Sequence, residues 1–199
     1  QAFVMMGLAI SWLAGVLHLK RFKQNLRVIL RFVLGLFILA VGLYPYFGYR
    51  DYYGHLKNYQ GLNGLLWMKQ QLPGDYYLVQ WMRDNLEGRP VILEAAGESY
   101  TKYDRISAFT GMPTVVGWKV HQWLWRGGYD IPQNRANEVQ QVYQNPASDQ
   151  AQETLKKYQV EYIVVSSLER EKYPNLDENQ LKQLGEVVYQ VNNSYLIKL

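Results

Sequence analysis

The first quarter of the chain leaves little choice of solvent. Residues 2–19, AFVMMGLAISWLAGVLHL, are apolar apart from Ser11 and His18, and residues 28–47, VILRFVLGLFILAVGLYPYF, carry a single charge, Arg31, near the start of the run. At about 1.5 Å per residue each run extends roughly 27–30 Å, the thickness of a bilayer's hydrocarbon core. Both read as transmembrane helices. A cleavable signal peptide is the alternative for the first, but its basic residues follow the apolar run and no small-residue cleavage site comes next. Burial of both runs in a soluble core is the other alternative, and their hydropathy argues against it.

Charge then sets a direction. The connector LKRFKQNLRVILR holds five Lys and Arg and no acid, and such loops stay cytoplasmic because cations resist translocation. The first helix therefore runs outside to inside and the second inside to outside, with Arg31 snorkelling back to the cytoplasmic headgroups. Tyr44, Tyr46, Phe47, Tyr49, Tyr52 and Tyr53 form an aromatic cluster suited to the opposite interface. Everything after it is expected on the extracytoplasmic side of a cell membrane. The chain starts at Gln1, and we read it as part of a longer, multi-pass polypeptide with further helices upstream. Three segments follow: 1–50, two transmembrane helices with a basic cytoplasmic loop; 51–73, an aromatic connector at the membrane exit; and 74–199, an extracytoplasmic domain.

The formal charge of +4 hides this division. No acid precedes Asp51, and six of the 21 basic residues lie in 1–50, so 51–199 holds 15 basic against 17 acidic residues, a net of −2. That balance excludes a basic nucleic-acid footprint on the folded part. Cysteine is absent, which excludes disulfides, thiolate nucleophiles and Cys-based metal sites.

The folded part has an α/β pattern. Pro73-Gly74 breaks the chain and Asp75 is placed to cap a helix on which Leu78, Trp81, Met82 and Leu86 recur on one face. Gly88 ends it, and Val91–Ala95 reads as a short buried strand; Thr114–Gly117 is a second, shorter strand candidate. A helix from Asn134 to about Gln144 stops at Pro146, and Ser148 or Asp149 caps another that leads to YIVVS, 162–166, a buried strand. Helix followed by apolar strand, twice over, predicts a short, mostly parallel sheet. EVVYQ and SYLIKL flank Val191-Asn192-Asn193, which predicts a C-terminal antiparallel hairpin or edge.

Most chemical motifs are missing. His18, His55 and His121 are dispersed with no second ligand at metal spacing, AGESY is not a nucleophile elbow, and neither a Walker loop nor GxGxxG occurs, so no metal and no cofactor is expected. What stands out is Ser99–Gly128, which holds three Trp, two Tyr, two Arg and one His in thirty residues. As a helix, Gly117–Arg126 places Trp118, His121, Gln122 and Trp125 on one face, with Lys119, Trp123 and Arg126 on the other side. Aromatic rings beside amide and imidazole groups suit the faces and hydroxyls of sugars, and Arg105 and Arg126 suit phosphate or carboxylate. Glu94 ends a strand where open α/β sheets place working residues, and Ser99, Tyr100 and Tyr103 could complete a polar pocket. The competing reading makes the tryptophans core, His121 a satisfied rim residue, and Arg105 or Arg126 a buried bridge to Glu94. Arg135, Glu169 and Arg170 read as solvated or capping charges.

The order PGDYYLVQWMRDN, VILEAAGESY, RISAFTGMPTVVGW, HQWLWRG and VEYIVVSSLER, followed by YP, resembles the C-terminal region of the uncharacterised YYY integral membrane protein family. The likeness covers about 60–199 and runs through Glu94, Tyr100, Arg105, Trp118, His121, Trp125 and Arg126. That family is distantly similar to the C-superfamily membrane glycosyltransferases. The resemblance implies a polyprenyl-phosphate sugar as donor, a glycan or protein as acceptor, and a catalytic acidic loop upstream of Gln1, with no catalytic residue assigned in this chain. The substrate-binding residues expected here are Glu94, Tyr100, Arg105, Trp118, His121, Gln122, Trp125 and Arg126. The rival expectation is a non-catalytic structural or docking domain; a soluble hydrolase would need a nucleophile and base together, and none is evident.

Overall fold

A computed structural model describes residues 2–18, 23–57, 59 and 61–199. Lys20 and Arg21, two cations of the basic connector, lie outside the described residues. The chain forms two compact units, 1–61 and 62–199.

The first unit holds α1 (Ala2–His18) and α2 (Gln24–Tyr52). Among the described residues α2 is the one helix long and apolar enough to cross a membrane: it has 29 residues, a mean hydropathy of 2.3 over its apolar window, and no buried residue. The expectation of two spanning helices is thus met by one. The apolar part of α1 covers Val4–Val16, which at about 1.5 Å per residue is shorter than a bilayer core.

The second unit is a three-layer α/β domain. It begins with α3 (Leu66–Gln71) and α4 (Pro73–Asn85), followed by β1 (Val91–Leu93), α5 (Arg105–Thr110), α6 (Lys119–Arg126), α7 (Asp130–Gln144) and α8 (Asp149–Lys157). The chain closes with β2 (Val160–Val165), α9 (Ser167–Lys172), α10 (Glu178–Gln183), β3 (Glu186–Val191) and β4 (Ser194–Lys198). Strand order is β1-β2-β4-β3. Among the named strands of the described residues, β1 and β2 pair in parallel, and β2–β4 and β4–β3 are antiparallel. The expected mostly parallel sheet is therefore corrected to a mixed one, and the cause lies in β4. Four consecutive residues, Ser194 to Ile197, are buried, so this strand needs cover on both faces and inserts beside β2 instead of lying at an edge. The predicted hairpin forms, with the Asn192-Asn193 turn between β3 and β4 and Asn192 at a positive φ of 52°.

Side chains alternate across the sheet as a period of two requires. Ile163 and Val165 of β2, with Tyr195 and Ile197 of β4, pack against Val139, Val142 and Tyr143 of α7 and Leu155 of α8. Tyr162, Val164 and Leu196 face the opposite layer, where Met68, Leu78, Val79 and Met82 of α3 and α4 cover them. The Thr114–Gly117 strand candidate reduces to one parallel bridge, Thr114 to Ile92. Asp75 is not the cap of α4: that helix opens at Pro73, with Leu72 at its N-cap, and the carboxylate of Asp75 is turned inward. Ser148 caps α8 by accepting from the Ala151 amide.

Candidate functional site

The parallel strands β1 and β2 end at Leu93 and Val165, and the polar residues of the domain gather just beyond those ends. This is where open α/β sheets place ligands. At the centre is Arg105, the first residue of α5, only 2% exposed. Its Nε donates to Asp75 Oδ2 at 2.7 Å, Nη1 and Nη2 form a fork on Glu169 at 2.9 and 3.0 Å, and Nη2 also donates to Ser166 Oγ at 2.6 Å. Glu94 Oε2 lies 3.7 Å from Nη1. Burial works against the guanidinium charge, but Glu169, Asp75 and Glu94 hold its pKa well above the ordinary value.

The acids around it have defined work. Glu169 accepts the Ser166 amide, completing a capping box on α9, and the Ala95 amide, each at 3.0 Å. Burial would push this carboxyl up, yet Arg105 and the hydrogen bonds hold it below the usual carboxylate range. Its expected place as a solvated or capping charge is half corrected: it caps, but it is fully buried. Arg170 pairs at the surface with Glu178. Glu94 accepts the Ile106 and Ser107 amides at 2.9 and 2.7 Å, satisfying the first turn of α5. Of the eight expected substrate-binding residues, Glu94 and Arg105 are thus spent on the scaffold. The anticipated Arg105–Glu94 bridge exists, but Asp75 and Glu169 are the closer partners.

The other six, Tyr100, Trp118, His121, Gln122, Trp125 and Arg126, come together. No residue of α6 is buried, so its tryptophans are not core. Trp118, just before α6, donates its indole N–H to the Tyr103 carbonyl at 2.9 Å, which fixes the ring. Tyr100, Trp118 and His121 form a three-ring cluster with centroids 5.1–5.7 Å apart. Tyr100 is 86% exposed and Trp125 is 89% exposed. Arg126 does not project away as its helical position suggested: Nε donates to Gln122 Oε1 at 2.7 Å, one turn back, and both line the same cleft. That cleft lies between α5 and α6, has a volume of about 530 Å³, and is walled on the α5 side by Asp104, Ser107 and Ala108. A larger groove of about 900 Å³, lined by Trp67, Tyr103 and Phe109 among others, shares Asp104, Ala108 and Trp118 with it.

Asp104 was not anticipated. It occupies the N-cap position of α5 with a left-handed backbone, φ 59° and ψ 22°, and makes no capping bond because Glu94 already serves the helix. Among the described residues neither of its oxygens has a hydrogen-bond partner. Burial, with the charge of Glu94 next to it, pushes its pKa up to about 9 against the pull of Arg105; the Gly97 amide also favours the ionised form, without closing a hydrogen bond. Burial raises Glu94 as well, but two amides and Arg105 oppose the rise there. Burial and the neighbouring charge thus favour the protonated form of Asp104. Nothing in the pattern KYDRIS marks it, because the signal is the conjunction of burial, backbone and missing partners.

No group of three His, Asp or Glu side chains arranged to hold a metal ion occurs among the described residues. The arrangement offers aromatic surfaces, one cation, an amide and an imidazole around an open cleft, with the buried Asp104 among its lining residues, which is chemistry for binding. No protein-family model matches this chain, and no curated protein matches it.

Proposed function

We propose that residues 62–199 are the ligand-binding domain of a multi-pass membrane protein, and that the cleft between α5 and α6 takes a sugar-bearing molecule. The supporting observation is the open aromatic cluster of Tyr100, Trp118 and His121, with Trp125 beside it, next to the paired Gln122 and Arg126. Rings of this kind gain dispersion contact with the C–H faces of a pyranose, and the amide and imidazole meet its hydroxyls. Arg126 supplies the charge for a phosphate. With the likeness to the YYY family, this makes the protein glycosyltransferase-like, with the domain on the extracytoplasmic side of the membrane. It presents a polyprenyl-phosphate sugar, or the glycan or protein acceptor, to a catalytic carboxylate outside this chain.

A second reading is favoured by Leu124, 68% exposed, and Ile131, which with Trp125 leave an apolar surface around the end of α6. Under it the domain is a non-catalytic cap that docks on the membrane body. Trp125→Ala and Arg126→Ala in the chain reconstituted in phosphatidylcholine nanodiscs separate the two. If the cleft binds sugar, saturation-transfer NMR detects methyl glycosides on the wild type, and each variant weakens binding by about tenfold without lowering the melting midpoint. Glycoside binding that both variants leave intact would remove the sugar-site reading.

A further inference from the structure

We propose that the Asp104 carboxyl is a ligand contact, hydrogen-bonding a hydroxyl group of the molecule held in the cleft between α5 and α6. The proposal rests on the reading of that cleft as a sugar site and adds its polar centre. Three observations carry it. Asp104 is only 6% exposed, and neither oxygen has a partner among the described residues, whereas Glu94 and Glu169 close by are fully engaged. Its backbone is left-handed, a conformation that L-residues other than Asn and Asp seldom take. Asp104 is one of the residues, with Ala108 and Trp118, that line both the cleft and the neighbouring groove.

The unpartnered carboxyl works against folding: burial opposes its charge, and Arg105 and the Gly97 amide offset only part of that cost. The N-terminal amides of α5 are served by Glu94, and the guanidinium by Asp75 and Glu169. Side chains held at such a disadvantage mark places where the group is used. A protonated carboxyl donates through one oxygen and accepts through the other, which matches the paired donor and acceptor of a sugar hydroxyl. Trp118 and Trp125 line the same cleft, so the ring that carries the hydroxyl has aromatic surface beside it.

The test uses the full chain in phosphatidylcholine nanodiscs, which avoids sugar-headed detergents, with the methyl glycosides of glucose, galactose, mannose and N-acetylglucosamine as probes. Asp104→Gly removes the acid and accepts the left-handed backbone; Asp104→Asn keeps a neutral group of the same shape that also tolerates it. The expected result is that Asp104→Gly melts about 3 °C higher or more while binding at least about tenfold more weakly, and that Asp104→Asn binds within about threefold of the wild type. A lower melting midpoint for Asp104→Gly makes the acid part of the scaffold and overturns the proposal. Undiminished glycoside binding by Asp104→Gly overturns it alone, and loss of binding in Trp125→Ala then leaves the sugar-site reading standing. Loss of binding in Asp104→Gly with none in Trp125→Ala upholds Asp104 and removes the aromatic shelf. A wild-type chain that binds none of the four probes takes both readings down.

Discussion

A buried acid without a partner writes its cost into the pH dependence of stability. The pKa of Asp104 stands at about 9 in the fold, through burial first and the charge of Glu94 second, against 3.8 as the ordinary value. The folded state thus holds a proton that the unfolded chain releases, and stability falls as pH rises through this window. The effect is absent below about pH 4 and complete above about pH 9. Arg105 and the Gly97 amide pull the other way, and Glu169 adds to the rise. Removing the titration by Asp104→Asn is expected to make the gap in unfolding free energy between variant and wild type widen from pH 5 to pH 8 by about 1 kcal/mol per unit. Urea titrations at four pH values check it; a constant gap would mean that the acid is ionised in the fold. Gly97 is a second position where one atom matters. A Cβ there would sit 2.3 Å from the Tyr103 Cβ, and the carbonyl of Tyr103 holds the Trp118 indole. Gly97→Ala is expected to cost about 1–3 kcal/mol and to loosen the Trp118 ring, visible as a shift in tryptophan fluorescence.

Secondary-structure elements that are far apart in the chain meet through Arg105. Its hydrogen bonds to Asp75, Ser166 and Glu169 join the start of α5 to α4, to the end of β2 and to α9, and Ser194 of β4 donates to the other oxygen of Asp75 at 3.0 Å. Removing one partner of a buried charge network strands the rest, which costs about 3–5 kcal/mol. Arg105→Met is therefore expected to unfold the α/β unit or lower its urea midpoint sharply. Arg105→Lys recovers only part of the loss, because an ammonium cannot fork onto Glu169 and reach Asp75 together. Circular dichroism of the two variants decides it, and a near-wild-type midpoint for Arg105→Met would make the network ornamental. Local signals made part of this legible. The Ser166–Glu169 spacing is a capping-box pattern, and the runs around Ile163 and Leu196 announce buried strands. Long-range pairings are not written in any window: Asp75 is thirty residues from Arg105, and only the closed sheet makes them neighbours. The insertion of β4 beside β2 escaped for the same reason, since a strand with both faces buried does not state its partner. Gln122 and Trp125 were legible as one helical face, while Arg126 joined them by reaching back along the helix to Gln122.

At the scale of the whole molecule the chain consists of two units whose surfaces differ. No residue of α2 is buried, and its Ile29, Phe32, Leu36, Leu39 and Leu43 are largely uncovered, an apolar surface that lipid satisfies and water does not. The second unit closes its own core on both faces of a sheet. The cations that precede α2 in the sequence are the ground for expecting the α/β unit on the extracytoplasmic side, and the proposed sugar donor is tied to that expectation. Absence of cysteine makes the question accessible, because a single introduced thiol is the only one in the chain. Asn25 lies exposed in the first turn of α2, after Lys23 and before Arg27, and Gln140 lies exposed on α7, so neither substitution removes a charge or a core contact. With a membrane-impermeant maleimide on intact cells, Gln140→Cys is expected to label at once and Asn25→Cys only after permeabilisation. The reverse pattern would put the α/β unit in the cytoplasm. An extracytoplasmic glycan acceptor could not then reach the cleft, and the aromatic surface on α6 would have to be read as a docking face for the cytoplasmic side of the membrane body.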